Sequence, residues 1–211
     1  MSGQMKDLYK VQKKDLSKAS VVLADAFQHD PLWNKFFEGE AKFDQTLGSF
    51  FGSGLRYCLR YGQAYAPSEH LEGVAAWVSG DLADMTFWRM LRCGAMTSGW
   101  KTIRMGMKYG RKMQVVFEPI QVDKEAHMKG RAYLYLLMIG VASQLQRQGF
   151  GGRLLGELFE KSEQDGVPVY LETETEENVR MYERLGFRVL KEITIPVVDL
   201  PMWEMVREPR A

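Results

Sequence analysis

Apolar and polar positions divide the chain into a first part with separate, short elements and a second part in which strands and helices alternate regularly. Alternation over 7–12 predicts a first strand. Asp15 or Ser17 is placed to cap a helix, which ends before Pro31 because proline restricts the residue that precedes it. An apolar stripe at helical spacing predicts a second helix over 43–59.

The middle of the chain has a weaker pattern. Short strands are predicted at 63–67 and 73–79. Residues 81–117 are rich in methionine, tryptophan and glycine and predict two or three short helices, and 118–130 predict a loop. Methionine and tryptophan at such positions are usually core residues, but a Met-rich segment interrupted by glycines also repacks easily around a ligand.

The C-terminal part is regular. A continuous apolar run over 131–142 predicts a strand buried on both faces, and the amphipathic helix after it ends at Gly166. A strand over 168–174 precedes a short helix over 177–186. Two last strands complete the chain, over 187–195 and 202–208. This order predicts an α/β or α+β fold whose sheet has a parallel pair at its centre.

Composition limits the class of protein. The 211 residues are 45% hydrophobic and 26% charged, as expected of one soluble globular domain. The formal net charge of +1 gives no electrostatic footprint for nucleic acid or an anionic membrane. A polar N-terminus and the lack of a long apolar run predict a cytoplasmic protein. Cys58 and Cys93 lie outside any metal-ligand spacing, so two reduced thiols and no metal are expected.

Three glycines lie between the buried strand and the helix that follows it. The segment is Gln146-Arg147-Gln148-Gly149-Phe150-Gly151-Gly152. The first turn of a helix has unpaired N–H donors and partial positive charge, which favour an anion, usually phosphate. Glycines there let a diphosphate approach the backbone. The segment is not a P-loop, because no Gly-Lys-Ser/Thr follows, and it lacks the full G-x-G-x-x-G spacing.

This segment matches Q/R-x-x-G-x-G/A and resembles the acyl-CoA pyrophosphate loop of the GNAT acyltransferase superfamily. From Tyr133 to Gly186, the stretches YLYLLMIGV, QRQGFGGRLL and VPVYLETETEENVRMYERLGF are similar to the GNAT core in order and spacing. The last stretch, and AFQHDPLW near the N-terminus, most resemble the branch that contains puromycin N-acetyltransferase. Relatives in this branch often have histidine where Tyr133 stands, which leaves the general base and the acceptor type open.

The resemblance implies a single GNAT-like domain over 1–211. It implies a mixed, mostly antiparallel sheet of about seven strands, with helices on both faces and a V-shaped splay between two central parallel strands. Residues 131–186 would form the acyl-CoA-binding core, and 81–130 a variable helical insertion that forms the acceptor wall. Trp88 and Trp100 are the aromatic candidates in that wall.

The resemblance also implies site residues. Acetyl-CoA would contact the main chain of Ile139, Gly140 and Val141, near a bulge at the end of the first core strand. It would also contact the glycine segment, Gln146 to Gly152, with Arg153 after it. The amide of Asn178, one turn before the acid, would be a further contact. Tyr182 would protonate the departing thiolate as a general acid; the alternative is a ring packed on the sheet with its hydroxyl in water. Glu172 is the candidate base for the amine, while Glu174 and Glu176 are expected to face solvent.

The implied reaction is transfer of an acetyl group from acetyl-CoA to a primary amine by direct attack. A small-molecule amine is the expected acceptor, because no acidic or basic docking surface is evident. No nucleic acid or membrane partner is expected, and the protein is a monomer or a homodimer. The alternative is a catalytically silent acyl-CoA-binding regulatory module, which turnover assays on a panel of amines would distinguish from an enzyme.

Overall fold

The fold is built on one seven-stranded sheet. The structure, a computed structural model, describes residues 8–94 and 100–210, and only the backbone of 100–105. The strands are β1 (Tyr9–Lys10), β2 (Gln63–Ala66), β3 (Gly73–Ser79), β4 (Leu134–Val141), β5 (Val169–Thr173), β6 (Arg188–Ile195) and β7 (Leu200–Arg207). They lie in the order β1-β2-β3-β4-β5-β7-β6, and each neighbouring pair is antiparallel except β4 and β5. The predicted mixed sheet with a central parallel pair is confirmed.

Helices cover both faces of the sheet, as predicted. They are α1 (Leu16–Phe27), α2 (Pro31–Phe36), α3 (Phe43–Tyr61), α4 (Phe87–Arg92), α5 (Trp100–Met128), α6 (Phe150–Asp165) and α7 (Glu176–Arg184). On one face, buried side chains of α1, α3 and α5 share a core with β3 and with Met138 of β4. On the other face, α6 and α7 pack their apolar stripes against β3, β4 and β5.

The prediction for 81–130 is wrong in its details. Instead of two or three short helices and a loop, the structure has α4 and the single helix α5, which continues through Pro119. A proline inside a helix costs about 3 kcal/mol or more. The buried face of α5 outweighs this penalty, since Tyr109, Val116, Ile120 and Met128 recur at helical spacing and are all withdrawn from water.

A β-bulge interrupts β4 at its centre. Trp77 pairs with Leu136 and the preceding Ala76 pairs with Met138, so Leu137 is the inserted residue. The bulge was expected at Val141, at the end of the strand, and lies four residues earlier. Because one extra residue reverses the alternation of the strand, the second half of β4 presents the opposite set of side chains to each face.

Candidate active site

The two parallel strands separate soon after they meet. In the described part of the chain, the ladder between β4 and β5 consists of two pairs, Leu134 with Val169 and Tyr135 with Tyr170. The bulge at Leu137 follows directly on β4. Past this point β4 keeps its pairing with β3 while its other edge opens, which creates the predicted splay between the two strands.

The glycine segment begins α6 at the wide end of this gap. Gly149 is the N-cap, with a left-handed φ of 86°, and no side chain caps the helix. Glycine adopts this φ without strain, which explains position 149. A Cβ at Gly151 would lie 3.9 Å from Val141 Cγ2, and one at Gly152 would meet nothing within 4 Å. Packing within the chain therefore does not require these two glycines, and the space beside the first-turn N–H groups lies open.

Hydrogen bonds hold the segment before α6 in place. The Ser143 backbone N–H and hydroxyl donate to the Asp25 carboxylate of α1, at 2.6 and 3.0 Å. Gln146, a predicted cofactor contact, donates from Nε2 to the carbonyl oxygen of Val141 at 3.3 Å. Gln146 thus ties the segment to the end of β4. Gln148 donates to the carbonyl of Gln144 at 3.4 Å, and the side chain of Arg147 is exposed.

The other predicted cofactor contacts have distinct surroundings. Ile139 packs against the core beneath α6 and α7. A Cβ at Gly140 would lie 2.8 Å from the Cβ of Ala26, so the close approach of α1 accounts for this glycine. The Arg153 guanidinium donates to the carbonyl oxygen of Pro67 at 3.3 Å and is directed at the turn between β2 and β3. Phe150, the first residue of α6, is half-buried.

Tyr182 lies on α7 with its side chain only 6% exposed. Its ring packs edge-on against Phe187, with 5.3 Å between centroids. Burial, and then the charge of Glu174, raise the pKa of the phenol, so the hydroxyl keeps its proton at neutral pH. Asn178 lies one turn earlier, and its backbone N–H donates to the hydroxyl of Thr175, the N-cap of α7. The ring is packed, as the alternative for Tyr182 requires, but the residue is buried near the Glu174 carboxyl group and its hydroxyl is not in open water.

Glu172 lies on β5, two residues beyond the last pair with β4. Its Oε2 accepts a hydrogen bond from the Tyr135 hydroxyl at 2.8 Å. Its Oε1 is buried and has no hydrogen-bond partner among the described residues. Burial raises the pKa of the carboxyl group, and the positive charge of Lys124 opposes that change. Lys124 itself lies over the Tyr135 ring, 4.4 Å from its centroid.

Glu174 is placed differently from the prediction. It is half-buried and lies near the carboxyl group of Asp30. Burial, and then the nearby carboxyl group of Asp30, raise the pKa of Glu174 well above its usual range. Asp30 is the N-cap of α2 and accepts from the backbone N–H groups of Leu32 and Trp33. Only Glu176 is exposed as predicted.

The prediction missed Asp30, although the capping residue before Pro31 was a usable signal. An acidic residue directly before a proline that begins a helix is typical of an N-cap. That feature indicates a fixed carboxylate. It does not indicate that Glu174 lies beside it, because the contact joins distant parts of the chain.

Tyr133, which stands where relatives often have histidine, is buried at the start of β4. Its ring packs edge-on against Tyr170 and closely against Gly80, where a Cβ would overlap the ring. Burial, and then the charge of Glu172, raise the pKa of this phenol to about 12, so it is protonated at neutral pH. Trp88 of the predicted acceptor wall is 66% exposed on α4, and the side chain of Trp100 lies outside the described residues.

A second buried carboxyl group, Glu204 of β7, was not predicted. It is fully buried and pairs in register with Glu172 on one side and Lys191 on the other. His127 of α5 approaches it, with 3.5 Å between Nε2 and Oε2. Burial, and then the charges of Asp123 and Glu172, raise the pKa of Glu204 to about 7. The polar position within MWEMV was the available signal, but alternation alone does not distinguish a buried glutamate from an exposed one.

This pKa predicts a pH-dependent stability. The ordinary pKa of the group is 4.5 and the folded value is about 7, so the folded state binds the proton more tightly. Its stabilising effect is complete below pH 4.5 and is lost as pH rises through 7. Relative to Glu204→Gln, the wild-type free energy of unfolding is expected to fall by about 3 kcal/mol over this interval. Urea unfolding at several pH values measures this difference in the free energy of unfolding. The control is Glu192→Gln, at an exposed position on β6, for which the difference from wild type should not change with pH. A flat difference for Glu204→Gln would contradict the assignment.

Three further findings concern metals, thiols and membranes. Within 8–94 and 100–210, no group of three or more His, Cys, Asp or Glu side chains is arranged to hold a metal ion. Cys58 is buried and Cys93 half-buried, and both are free thiols. No helix in this described part is long and apolar enough to span a bilayer.

Comparisons with known proteins agree with this geometry. The model of the Acetyltransferase (GNAT) family matches residues 115–187, which include β4, the glycine segment, β5 and α7. The uncharacterized N-acetyltransferase C550.08 of Schizosaccharomyces pombe is 28% identical over 216 residues, covering 95% of this chain and 82% of that protein.

Solved structures share the fold. A putative arylalkylamine N-acetyltransferase 7 from the mosquito Aedes aegypti superimposes with a TM-score of 0.64 at 13% identity, over 95% of this chain and 86% of that one. NAA60 of Arabidopsis thaliana, in complex with acetyl-CoA, does so with a TM-score of 0.51 at 16% identity, over 96% and 97% of the two chains. With its splayed parallel pair and its glycine segment at the start of α6, the chain is similar to the GNAT acetyltransferases, and residues 115–187 match the model of that family.

Proposed function

We propose that this protein transfers an acetyl group from acetyl-CoA to the primary amine of a small molecule. The observation that carries the proposal is the set of acidic side chains around the gap between β4 and β5. Glu172 and the Glu174–Asp30 pair supply carboxyl groups there, and buried Tyr182 supplies a protonated phenol. Carboxylates attract an ammonium ion and can accept its protons, whereas the phenol can donate one.

Each step then has a group that performs it. The uncapped first turn of α6 binds the pyrophosphate of acetyl-CoA, and the thioester lies in the gap. Glu172 takes a proton from the ammonium group, and the free amine attacks the carbonyl carbon. The new C–N bond forms, the C–S bond breaks, and Tyr182 donates its proton to the sulfur. The second proton that the nitrogen loses restores the hydroxyl of Tyr182. The open Oε1 of Glu172 suits this role, because Tyr135 occupies only Oε2.

Two facts favour a small amine as the acceptor. The formal net charge of +1 gives no strong overall attraction for an acidic or basic macromolecule. Among the similar structures, the mosquito protein is named for arylalkylamines, which are small molecules. A panel of amines with acetyl-CoA, followed by detection of the released thiol, tests the proposal. Acetyl-CoA binding without release from any amine would support the silent binding module instead.

Binding of acetyl-CoA predicts a melting shift that depends on the open glycine positions. Ligand at 100-fold its Kd stabilises the folded state by about 2.7 kcal/mol, which for a chain of this size raises Tm by about 5–11 °C. Gly151→Glu is expected to abolish this shift, because it places a bulky anion beside the first-turn N–H groups. Differential scanning fluorimetry measures it.

A matched control lies on the same helix. A Cβ at Gly156, like one at Gly152, meets nothing within 4 Å, but this residue lies past the first turn of α6. Gly156→Glu is therefore expected to keep the full melting shift. An equal shift in wild type and Gly151→Glu would place the diphosphate elsewhere, and an absent shift in the wild type would contradict acetyl-CoA binding altogether.

A further inference from the structure

Several buried oxygens on the α5 face of the sheet have no hydrogen-bond partner in the described part of the chain. They are Glu172 Oε1, the Tyr170 hydroxyl, and Oε1 and Oε2 of Glu204. Buried polar atoms are nearly always paired, since an unpaired one costs about 1–3 kcal/mol. Four such atoms on neighbouring residues therefore need an explanation.

The unpaired groups are contiguous. Glu172 and Glu204 are direct partners in the register of β5 and β7. Tyr170 precedes Glu172 by two residues, so it lies on the same face. Tyr170 pairs with Val206, two residues from Glu204 on β7, so its ring lies diagonally opposite Glu204 on that face. Burial, and then the charges of Glu172 and Glu204, raise the pKa of its hydroxyl. The Tyr170 hydroxyl is thus the group that links the two carboxyl groups.

The far end of this row reaches the surface. Oε2 of the fully buried Glu204 lies 3.5 Å from Nε2 of His127, whose side chain is 29% exposed. The near end is Glu172, beside the gap where β4 and β5 separate. Neighbouring proton-carrying groups therefore lie in a row from the gap to solvent at α5. Imidazole is the side chain best suited to exchange protons with water near neutral pH.

The proposed reaction needs such an exit. An acceptor that arrives as R–NH3⁺ becomes an amide that keeps one N–H proton, so two protons leave the nitrogen. The bond from carbonyl carbon to sulfur breaks, and the sulfur takes up one proton to form the CoA thiol. The other proton must reach solvent in every turnover, from a carboxyl group that is itself mostly enclosed.

We propose that Tyr170, Glu204 and His127 form a relay that carries to solvent the proton that Glu172 takes from the acceptor amine. This inference rests on the proposed function. Glu172 passes the proton to the oxygen of Tyr170 as the Tyr170 hydroxyl passes its own to Glu204. Glu204 then passes a proton to Nε2 of His127, which releases a proton to water. Each group returns to its starting state and no oxidant or reductant is needed.

The charges around the row are suited to transfer. Lys191, which flanks Glu204 on β6, is held by the carboxylate of Asp123 on α5, with Nζ 2.7 and 2.8 Å from its two oxygens. Lys124 on the same helix is buried over Tyr135 and offsets the charge of Glu172. The positive charges of the two lysines offset the negative charges of Glu172 and Glu204, although neither lysine forms a recorded hydrogen bond with Glu204 among the described residues.

Loss of the exposed end tests the relay. His127→Ala is expected to lower kcat about tenfold, less than the roughly 10²-fold lower limit for a direct proton-transfer group, because water can partly replace a relay. The KM values for amine and acetyl-CoA are expected to stay unchanged. Added imidazole buffer should restore kcat, because a small base can enter the vacated surface position. A side chain with only a structural role would not show such rescue.

Two more variants complete the test. Glu204→Gln is expected to lower kcat similarly but without rescue, because imidazole cannot reach a fully buried position. Glu125→Gln makes the same change at an exposed position of α5 and is expected to behave as wild type. Wild-type kcat in His127→Ala, or a loss that imidazole does not restore, would overturn the relay. If the unsubstituted protein releases no thiol with any amine, the proposed function fails as well. If it releases thiol and only the result for His127→Ala differs from expectation, the relay alone fails.

Discussion

Tyr182→Phe is expected to lower kcat by about 10²-fold while acetyl-CoA affinity stays unchanged. General acid catalysis typically contributes 10²–10⁴-fold, and the low end applies for two reasons. A thiolate is a fair leaving group without help, and burial has raised the pKa of this phenol, which makes it a weaker acid. Steady-state kinetics with the identified acceptor and calorimetry with acetyl-CoA provide the two measurements.

The substitution keeps the ring, so the packing against Phe187 should survive. Tyr65→Phe is a suitable control, because Tyr65 is partly buried against the same core but lies on β2. A kcat within about threefold of wild type for Tyr182→Phe, below even the low end of that range, would make Tyr182 a packing residue. A Kd that worsens as much as kcat falls would assign the hydroxyl to binding.

Glu172→Gln is expected to lower kcat by about 10²–10⁴-fold, because it replaces the proposed base by an amide of the same shape. The amide can still accept the hydrogen bond from Tyr135, so the fold should be retained. Circular dichroism and thermal unfolding verify this. Glu160→Gln, at an exposed position of α6, serves as the control for the change of charge.

The pH profile gives an independent criterion for Glu172. A base acts when deprotonated, so kcat/KM should rise with pH through the pKa of the free enzyme. Burial raises the pKa of Glu172, so this rise is expected above the usual range of a glutamate and should be absent in Glu172→Gln. If Glu174→Gln removes the rise and Glu172→Gln does not, the base is Glu174 in its pair with Asp30.

Local pattern by itself determined the elements of the acyl-CoA side of the protein. The apolar run of β4, the amphipathic stripe of α6 and the glycines around them are properties of neighbouring residues, so they are visible in the sequence. The same holds for the spacing that places Asn178 and Tyr182 one turn apart on α7. The mixed sheet followed from the order of strands and helices.

Tertiary structure decided what depends on partners distant in the chain. Helix α5 continues through Pro119 because the sheet beneath it buries an apolar face, which local propensity does not include. The bulge at Leu137 is a relation between two strands. Most of all, whether a carboxyl group is exposed or buried depends on which distant segments of the chain pack over it. Asp30 beside Glu174, and His127 beside Glu204, meet only once the chain has folded, and those meetings give the site its chemistry.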